Sequence, residues 1–587
     1  MFVTIPAFGQ EPPRLLIPRN FSPEYSSPQL TPSGRFTVNR PTTTPAEILP
    51  LPSLEKSTRL LPVKQEELDQ VIREGQILEA EARWAEVLTY YETALRTYRN
   101  DDALLDRYRV ARFHCDVGRR LHDASYLNLI RDLTVVESLN FFEEVMTRIQ
   151  RDYADMPRWE QLFRNGIQNF SIALTDTNFR TKANLNVSEE QANTYLSTVQ
   201  VTVNSWQIRD QEDVKNGLLH IAEGAQKQIG LNPVIFVMEF TCGVINSLDP
   251  CSAYLTPNQL NDQLSVISGN LVGLGVELRS DRYSLVIVRV ISGSPAEEGG
   301  LKEGDRILTI DGISTRGRDI DNAADLLQGT EGTTVRLSIL SEGLGQHPRD
   351  LLITRRQIEV PSVEDVRMIN DKLGYVKLTN FQATTRLELE KALIDLDRRG
   401  MTCLILDLRR NPGGLFQIGV EVANMFIERG AIVRTQGRDS GLDSPYMATT
   451  GNNTWHTPLI LLIDEESASA TEIVAGAIRD HGRGIIVGKQ SYGKGTIQQI
   501  LPVRTGTSGV RSGIKLTVEK FYSPLGWSYS GVGVTPHIIV QDDEKQRATL
   551  AKPLEGRLPL LLPRSITSSP DDPFIQEAIK VSQNMVK

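Results

Sequence analysis

Two side chains in this sequence have the types and the spacing to do chemistry together. Ser469 lies in Ser467-Ala468-Ser469-Ala470-Thr471-Glu472, where an apolar strand, Pro458 to Ile463, gives way to a helical pattern carrying Ile473, Val474, Ala477 and Ile478 at spacing three to four. A serine there stands at a helix N-terminus, where free N–H groups and the positive end of the dipole stabilise developing negative charge. Lys494 follows 25 residues later, between Gly493 and Gly495 on a tight loop ahead of a strand-like run, Thr496 to Val503. A serine hydroxyl is a weak nucleophile and needs a base. A lysine serves as one only where burial or nearby positive charge eases loss of its proton, since its ordinary pKa is about 10.4.

Other readings compete for this stretch. Gly488-Lys489-Gln490-Ser491-Tyr492-Gly493-Lys494 fits a phosphate loop, but Gly495 stands where a hydroxyl should follow the lysine and a strand pattern where a helix should open. His481 beside Asp480 offers a Ser-His-Asp triad, yet both fall after the helix that Ser469 begins. A plain βα unit with solvated Ser and Lys is the bland alternative.

The elements that must position these residues alternate strand and helix. They run as strand Gly374 to Leu378, helix Thr385 to Arg399, strand Thr402 to Leu408, helix Gly419 to Ile427, strand Ala431 to Gly437, and strand Gly484 to Gly488 after the serine helix. Such alternation builds a sheet covered by helices. A chain of 587 residues exceeds one core, so three or four domains are expected. The net charge of −9, with no basic cluster, argues against nucleic acid as a partner. Four cysteines, Cys115, Cys242, Cys251 and Cys403, make no close metal-ligand set and no disulfide framework. Cys242 and Cys251 could bridge, but two separate buried thiols are expected; no metal and no cofactor is called for. Residues 1–66, rich in Pro, Ser and Thr, read as a disordered tether. No run of 18 apolar residues spans a bilayer.

The stretch Ser-Ala-Ser469-Ala-Thr-Glu, then Tyr-Gly-Lys494-Gly and Gln498, resembles the C-terminal processing peptidases, or tail-specific proteases. The likeness extends through Asp407-Leu408-Arg409-Arg410-Asn411-Pro412-Gly413-Gly414, Lys520-Phe521-Tyr522-Ser523-Pro524-Leu525-Gly526 and Gly533-Val534-Thr535-Pro536, over roughly residues 235–545. It implies Ser469 as nucleophile, Lys494 as general base, Gln498 as the residue orienting the lysine, and the N–H groups of Gly413 and Ala470 as oxyanion hole. Two departures stand out: Cys251, in Ser247-Leu248-Asp249-Pro250-Cys251, occupies a position commonly His, and His537 one commonly Asp.

Residues 264–358 resemble a PDZ domain, on Gly273-Leu274-Gly275-Val276, Val286 to Val290, and Ser294 through Gly304-Asp305 to Asp311-Gly312. Such a domain adds a chain terminus as a strand and holds its carboxylate on loop N–H groups, here those of Gly273, Leu274, Gly275 and Val276, with Asn322 to Gln328 as the groove helix. Residues 67–125 resemble a tetratricopeptide helix pair, with Trp84 and Tyr91 interlocking.

The expected fold is thus a multidomain α+β and α/β chain: tether 1–66; tetratricopeptide-like helices 67–125; helical region 126–263 with an insertion near 178–232; PDZ domain 264–358; a spiral α/β (crotonase- or Clp-like) peptidase core 359–545; and a C-terminal extension 546–587, Pro- and Leu-rich without clear pattern over 546–570. The resemblance implies a serine endopeptidase that selects proteins by free, apolar C-terminal tails and cuts through an acyl-enzyme. The alternatives are a PDZ and helical-repeat scaffold with a silent peptidase fold, or a non-proteolytic hydrolase on the same core. The N-terminal helices could support a homo-oligomer or an adaptor. The first ten residues look like the end of a signal peptide, as if the true start lay upstream, which would place the protein in the bacterial envelope outside the cytoplasm; a floppy tail on a cytoplasmic protein is the alternative.

Overall fold

A computed structural model describes residues 62–98, 101–281, 284–316, 326–327, 329, 331–341, 347–438, 444–449, 454–504, 511–540 and 572–585. The chain enters as helices α1 (Pro62–Ala80), α2 (Trp84–Leu95) and α3 (Asp102–His122). α1 already runs through 62–66, the end of the expected tether; residues 1–61 lie outside the described ones. Tyr91 lies against Gly75, where an added Cβ would meet its ring at 2.3 Å, while Trp84 stacks on His114 of α3 with centroids 3.6 Å apart.

A helical bundle follows: α4 (Ala124–Asp132), α5 (Val135–Asp152), α6 (Trp159–Thr175), α7 (Thr177–Lys182), α8 (Glu189–Asn204), α9 (Gln211–Ile229) and α10 (Pro233–Asn246). α10 is buried from Val234 to Asn246 and largely apolar all round, as a central helix must be, with Glu239 paired to Arg120. The interval expected as an insertion belongs to this bundle: Val199, Val203, Leu218 and Ile221 share one core with Phe163 and Phe170.

The β-rich module comprises β1 (Ala253–Leu255), α11 (Pro257–Ser268), β2 (Asn270–Gly273), β3 (Val276–Asp281), β4 (Ser284–Val290), α12 (Pro295–Glu298), β5 (Arg306–Ile310), β6 (Ile313–Ser314), β7 (Thr334–Leu340), β8 (Arg349–Thr354) and β9 (Arg356–Glu359). Its sheet runs β3-β4-β5-β7-β8 with β6 on β5, over a core that includes Leu285, Ile287, Ile307, Val335 and Leu337. β3 is an edge strand, and β2 pairs with β9 outside this sheet. β1 instead pairs antiparallel with a strand of the C-terminal core, Arg511–Tyr522. Of the expected groove helix, only Leu326 and Leu327 fall among the described residues.

The C-terminal core holds β10 (Val363–Met368), β11 (Leu373–Leu378), α13 (Thr385–Arg398), β12 (Cys403–Asp407), α14 (Phe416–Asn424), β13 (Ala431–Gln436), β14 (Ser444–Met447), β15 (Leu459–Ile463), α15 (Ala470–Asp480), β16 (Ile485–Gly488), β17 (Thr496–Arg504), β18 (Arg511–Tyr522), β19 (Ile538–Ile539) and α16 (Pro573–Met585). One sheet has the order β10-β11-β12-β15-β16-β19, parallel except for β10. β12 and β15 are buried at every residue, which is why they read Cys-Leu-Ile-Leu-Asp and Leu-Ile-Leu-Leu-Ile with no polar alternation. α13, α14 and α15 cover one face. The other face meets Phe574, Ile575 and Ala578 of α16, a helix not foreseen in the extension. A second sheet runs β1-β18-β13-β14 with β17 on β18, and its Leu501, Val503, Ile514 and Leu516 enter the core of the helical bundle.

Candidate active site

Loops at the carboxyl ends of β12, β15 and β16 converge, as ligand sites on open parallel sheets do. Ser469 caps α15 with φ 58° and ψ −116°, a conformation that costs a non-glycine residue about 1–3 kcal/mol. Its neighbours hold it there: Ala468 N–H and Thr471 Oγ1 each donate to the Asn411 carbonyl at 3.0 Å.

Glu472, buried in the first turn of α15, is the hub. Its Oε2 accepts the N–H of Ser469 at 2.8 Å and the N–H of Lys494 at 3.0 Å. Its Oε1 accepts Gly493 N–H at 2.6 Å and Ser491 Oγ at 2.7 Å. One carboxylate therefore joins the serine cap to the lysine loop. Burial raises its pKa, against the four donors that favour the charge. The spacing Ser469-x-x-Glu472 announces a cap; the contacts to residues 491–494 had no local signal.

Gly413 follows β12 at φ 96°, and a Cβ there would meet Ser469 Cβ at 2.7 Å and Ala470 N at 2.9 Å. Only glycine fits so close to the serine. Gly413 N–H, expected to face a substrate oxygen, donates to Asn411 Oδ1 at 2.9 Å, whereas Ala470 N–H meets no acceptor among the described residues. The strand end below is fixed by charge. Arg409 bonds Asp407 at 2.7 Å and Asp572 of the α16 cap at 2.8 Å. Despite burial, Lys377 and Arg409 hold the Asp407 carboxyl below the usual range.

Lys494 leads into β17, a strand, which removes the phosphate-loop reading. Among the described residues no carboxylate lies within ion-pair distance of its amine. Gln498 donates to Thr496 Oγ1 at 2.8 Å and Thr517 Oγ1 at 3.4 Å, with no hydrogen bond to Lys494. Thr517 donates in turn to Asp249 Oδ1 at 3.1 Å. Asp249 also accepts Cys251 N–H, Ser252 N–H and Ser252 Oγ, and Arg112 of α3 holds the carbonyls of Asp249 and Ser252 at 2.8 and 2.6 Å. This supporting turn was legible only as Ser-Leu-Asp-Pro, without a role. α2 also reaches the lysine loop: Tyr492 Oη donates to Glu92 at 3.3 Å, and the Arg96 guanidinium lies 5.2 Å from the ring centroid.

The four cysteines are free; Cys242 is buried, but Cys251, expected buried, is half-buried. No cluster of three or more metal-binding side chains occurs among the described residues. None of their helices is long and apolar enough to cross a membrane. His481 caps the far end of α15, its Nε2 2.7 Å from the Ala431 carbonyl oxygen. An 11-residue helix separates it from Ser469 by about 16 Å. His481→Ala is therefore expected to keep cleavage within about twofold of wild type, a change in the surface range; a dead variant with intact fold would restore the triad.

In the β-rich module, the loop between β2 and β3 has Gly273 and Leu274 buried and Gly275 at φ 84°, where a Cβ would strike Ser294 at 2.3 Å; Val276 opens β3. The N–H groups of Leu274 and Gly275 meet no acceptor among the described residues.

Comparison with known proteins identifies the families of the two C-terminal domains. The family description "Peptidase family S41" matches residues 372–540, and "PDZ domain" matches residues 286–341. The carboxy-terminal-processing protease of Bartonella bacilliformis is 36% identical over 303 residues, covering 51% of this chain and 68% of that one. The carboxyl-terminal-processing protease of Picosynechococcus is 34% identical over 299 residues, covering 50% and 70%. That of Synechocystis is 33% identical over 312 residues, covering 52% and 71%. With a PDZ domain ahead of a serine set on a strained cap, the chain belongs to peptidase family S41, the carboxyl-terminal-processing serine proteases.

Proposed function

We propose that this protease captures the free C-terminal tail of a substrate protein on its PDZ domain and cuts the chain with Ser469 as nucleophile and Lys494 as base. The observation that carries the dyad is the single Glu472 oxygen shared by the N–H groups of Ser469 and Lys494. The neutral lysine amine takes the Ser469 proton as Oγ attacks the scissile carbonyl. Ala470 N–H, open at the N-terminus of α15, stabilises the resulting oxyanion, joined by Gly413 N–H when it turns from Asn411. The ammonium then gives its proton to the leaving amine, and water releases the acyl-enzyme by the same base. Gln498, whose Oε1 meets no donor among the described residues, steadies the amine.

Tail capture is supported by the edge position of β3 and by the N–H groups of Leu274 and Gly275, which meet no acceptor among the described residues and suit strand addition and a terminal carboxylate. Its test is binding of an apolar-ended peptide to full-length Ser469→Ala protein, in which the peptide should survive. Amidating the terminus is expected to weaken binding at least about tenfold, or 1.4 kcal/mol. Equal affinity for acid and amide would rule out carboxylate capture. A scaffold with a silent peptidase fold would bind tails equally well but leave an unfolded, apolar-ended protein uncut.

A further inference from the structure

α16, on the sheet face opposite α15, reaches two loops of the site. Its capping residue Asp572, with a side chain 12% exposed, takes one guanidinium nitrogen of Arg409 on both carboxylate oxygens, at 3.0 and 2.8 Å, while Oδ1 also accepts the N–H of Phe574 at 2.9 Å. The Phe574 ring centroid lies 4.7 Å from the Arg409 guanidinium carbon and 5.8 Å from Lys489 Nζ. The start of one helix therefore touches the loop after β12, which carries Gly413, and the loop after β16, which carries Lys494.

The buried charges at this end of the sheet balance only with Asp572. Asp407 meets Lys377 at 3.3 Å and Arg409 at 2.7 Å, and all three are buried. That sets two cations on one carboxylate, and Asp572 supplies the second. Asp464, also buried, accepts the N–H groups of Arg410 and Glu466 and the Ser467 hydroxyl, and among the described residues bonds neither cation. Removing one partner of a buried ion cluster leaves an uncompensated charge. The backbone beside it is the part least able to resist. Arg410 stands at φ 57°, a conformation that a non-glycine residue keeps only where its surroundings over-determine it. Its restraints are Lys377 on the Arg409 carbonyl, Asp464 on the Arg410 N–H at 2.8 Å, and Asn411 Nδ2 on the Leu378 carbonyl at 2.9 Å. Gly413 lies three residues further on.

We propose that Asp572 is a positioning residue for the reaction: by completing the charge balance around Arg409 it holds the turn 409–413 where the Gly413 N–H meets the oxyanion. The inference rests on reading Gly413 as part of the oxyanion hole. Asp572 touches no reacting atom and acts through Arg409 alone.

The test compares full-length wild type, Asp572→Asn and Asp572→Glu. Asparagine keeps an oxygen for the helix cap and removes the charge, whereas glutamate keeps the charge. Asp572→Asn is expected to lower kcat about tenfold with KM within about twofold, because an oxyanion exists only beyond the ground state; deleting a donor outright costs about 10²–10³. The second readout is the Ki of an apolar-ended peptide aldehyde, which gains a tetrahedral oxygen at the same place when Ser469 Oγ adds to its carbon. That Ki should rise by the same factor of about ten, and since it does not depend on how much of a sample is folded, a purely structural role leaves it unmoved. Asp572→Glu should bring kcat and Ki back to within about threefold of wild type. A wild-type Ki in folded Asp572→Asn overturns the inference, whatever happens to kcat. If Asp572→Asn does not fold, Asp572→Glu decides: a Ki within about threefold supports the charge balance, and a tenfold rise rejects it. Failure of the underlying reading shows separately, as a wild-type enzyme that the aldehyde does not inhibit, and the inference falls with it.

Discussion

Ser469→Ala and Lys494→Ala are each expected to lower kcat/KM by at least about 10⁴-fold, with the double variant no worse than either, because the proposed nucleophile and base would act as one unit. Lys494→Arg is equally inactive, since a guanidinium keeps its proton throughout the accessible range. These losses come without unfolding. The Lys494 amine pairs with no carboxylate among the described residues, so its removal breaks no ion pair. Ser469→Ala keeps the backbone N–H that bonds Glu472. The check is steady-state cleavage of an unfolded, apolar-tailed protein beside the far-ultraviolet spectrum of each variant. Cleavage that persists in purified Ser469→Ala would remove the serine from the reaction.

Glu472→Ala has the largest combined effect. It takes away the acceptor of four donors in a buried setting, the N–H groups of Ser469, Gly493 and Lys494 and the Ser491 hydroxyl. Leaving buried donors unpaired costs about 1–3 kcal/mol each before water enters, so a net loss of about 3 kcal/mol is expected. Cleavage should fall at least about 10³-fold, because the serine cap and the lysine loop lose their common anchor. Glu472→Gln is no rescue: its amide presents N–H groups to groups that are donors themselves. Urea unfolding in the Ser469→Ala background, where self-cleavage cannot interfere, measures the first effect, and kcat/KM in the wild-type background the second. Wild-type stability together with wild-type rate in Glu472→Ala would show that the two loops are held by something else.

Much of the core was readable because its strands obey one simple rule. β12 and β15, covered on both faces, must be apolar at nearly every position, and an unbroken apolar run five residues long has little room to be misplaced. The serine and the lysine drew attention as candidates because of where they sit, Ser469 at a strand-to-helix junction and Lys494 between Gly493 and Gly495. What escaped was whatever depends on partners distant in sequence. Glu472 looks like an ordinary capping acid until residues 491–494 close on it. Asp249 looks like a turn residue until Thr517 arrives. α16 carries its own start signal, Asp572 ahead of Pro573, with Asp572 Oδ1 accepting Phe574 N–H at 2.9 Å, and apolar residues at Phe574, Ile575 and Ala578. A helix that short, next to a Pro- and Leu-rich stretch, did not stand out from its surroundings.

The long-range ties around the site also set a schedule. Arg112 meets Ser252 across 140 positions, Thr517 meets Ser252 across 265, and Tyr492 meets Glu92 across 400. Chain synthesis runs from the N-terminus, and contacts of such separation are paid for in loop entropy before they return any stability. The helices therefore form early, while the lysine loop and β18 can dock only after nearly the whole chain exists. A nascent chain that has exposed Ser469 has yet to make Lys494, the Thr517 clasp and the face that α2 covers. Proteolytic competence arrives with the last tertiary contacts, and a newly made molecule passes through most of its folding unable to cut its neighbours or itself.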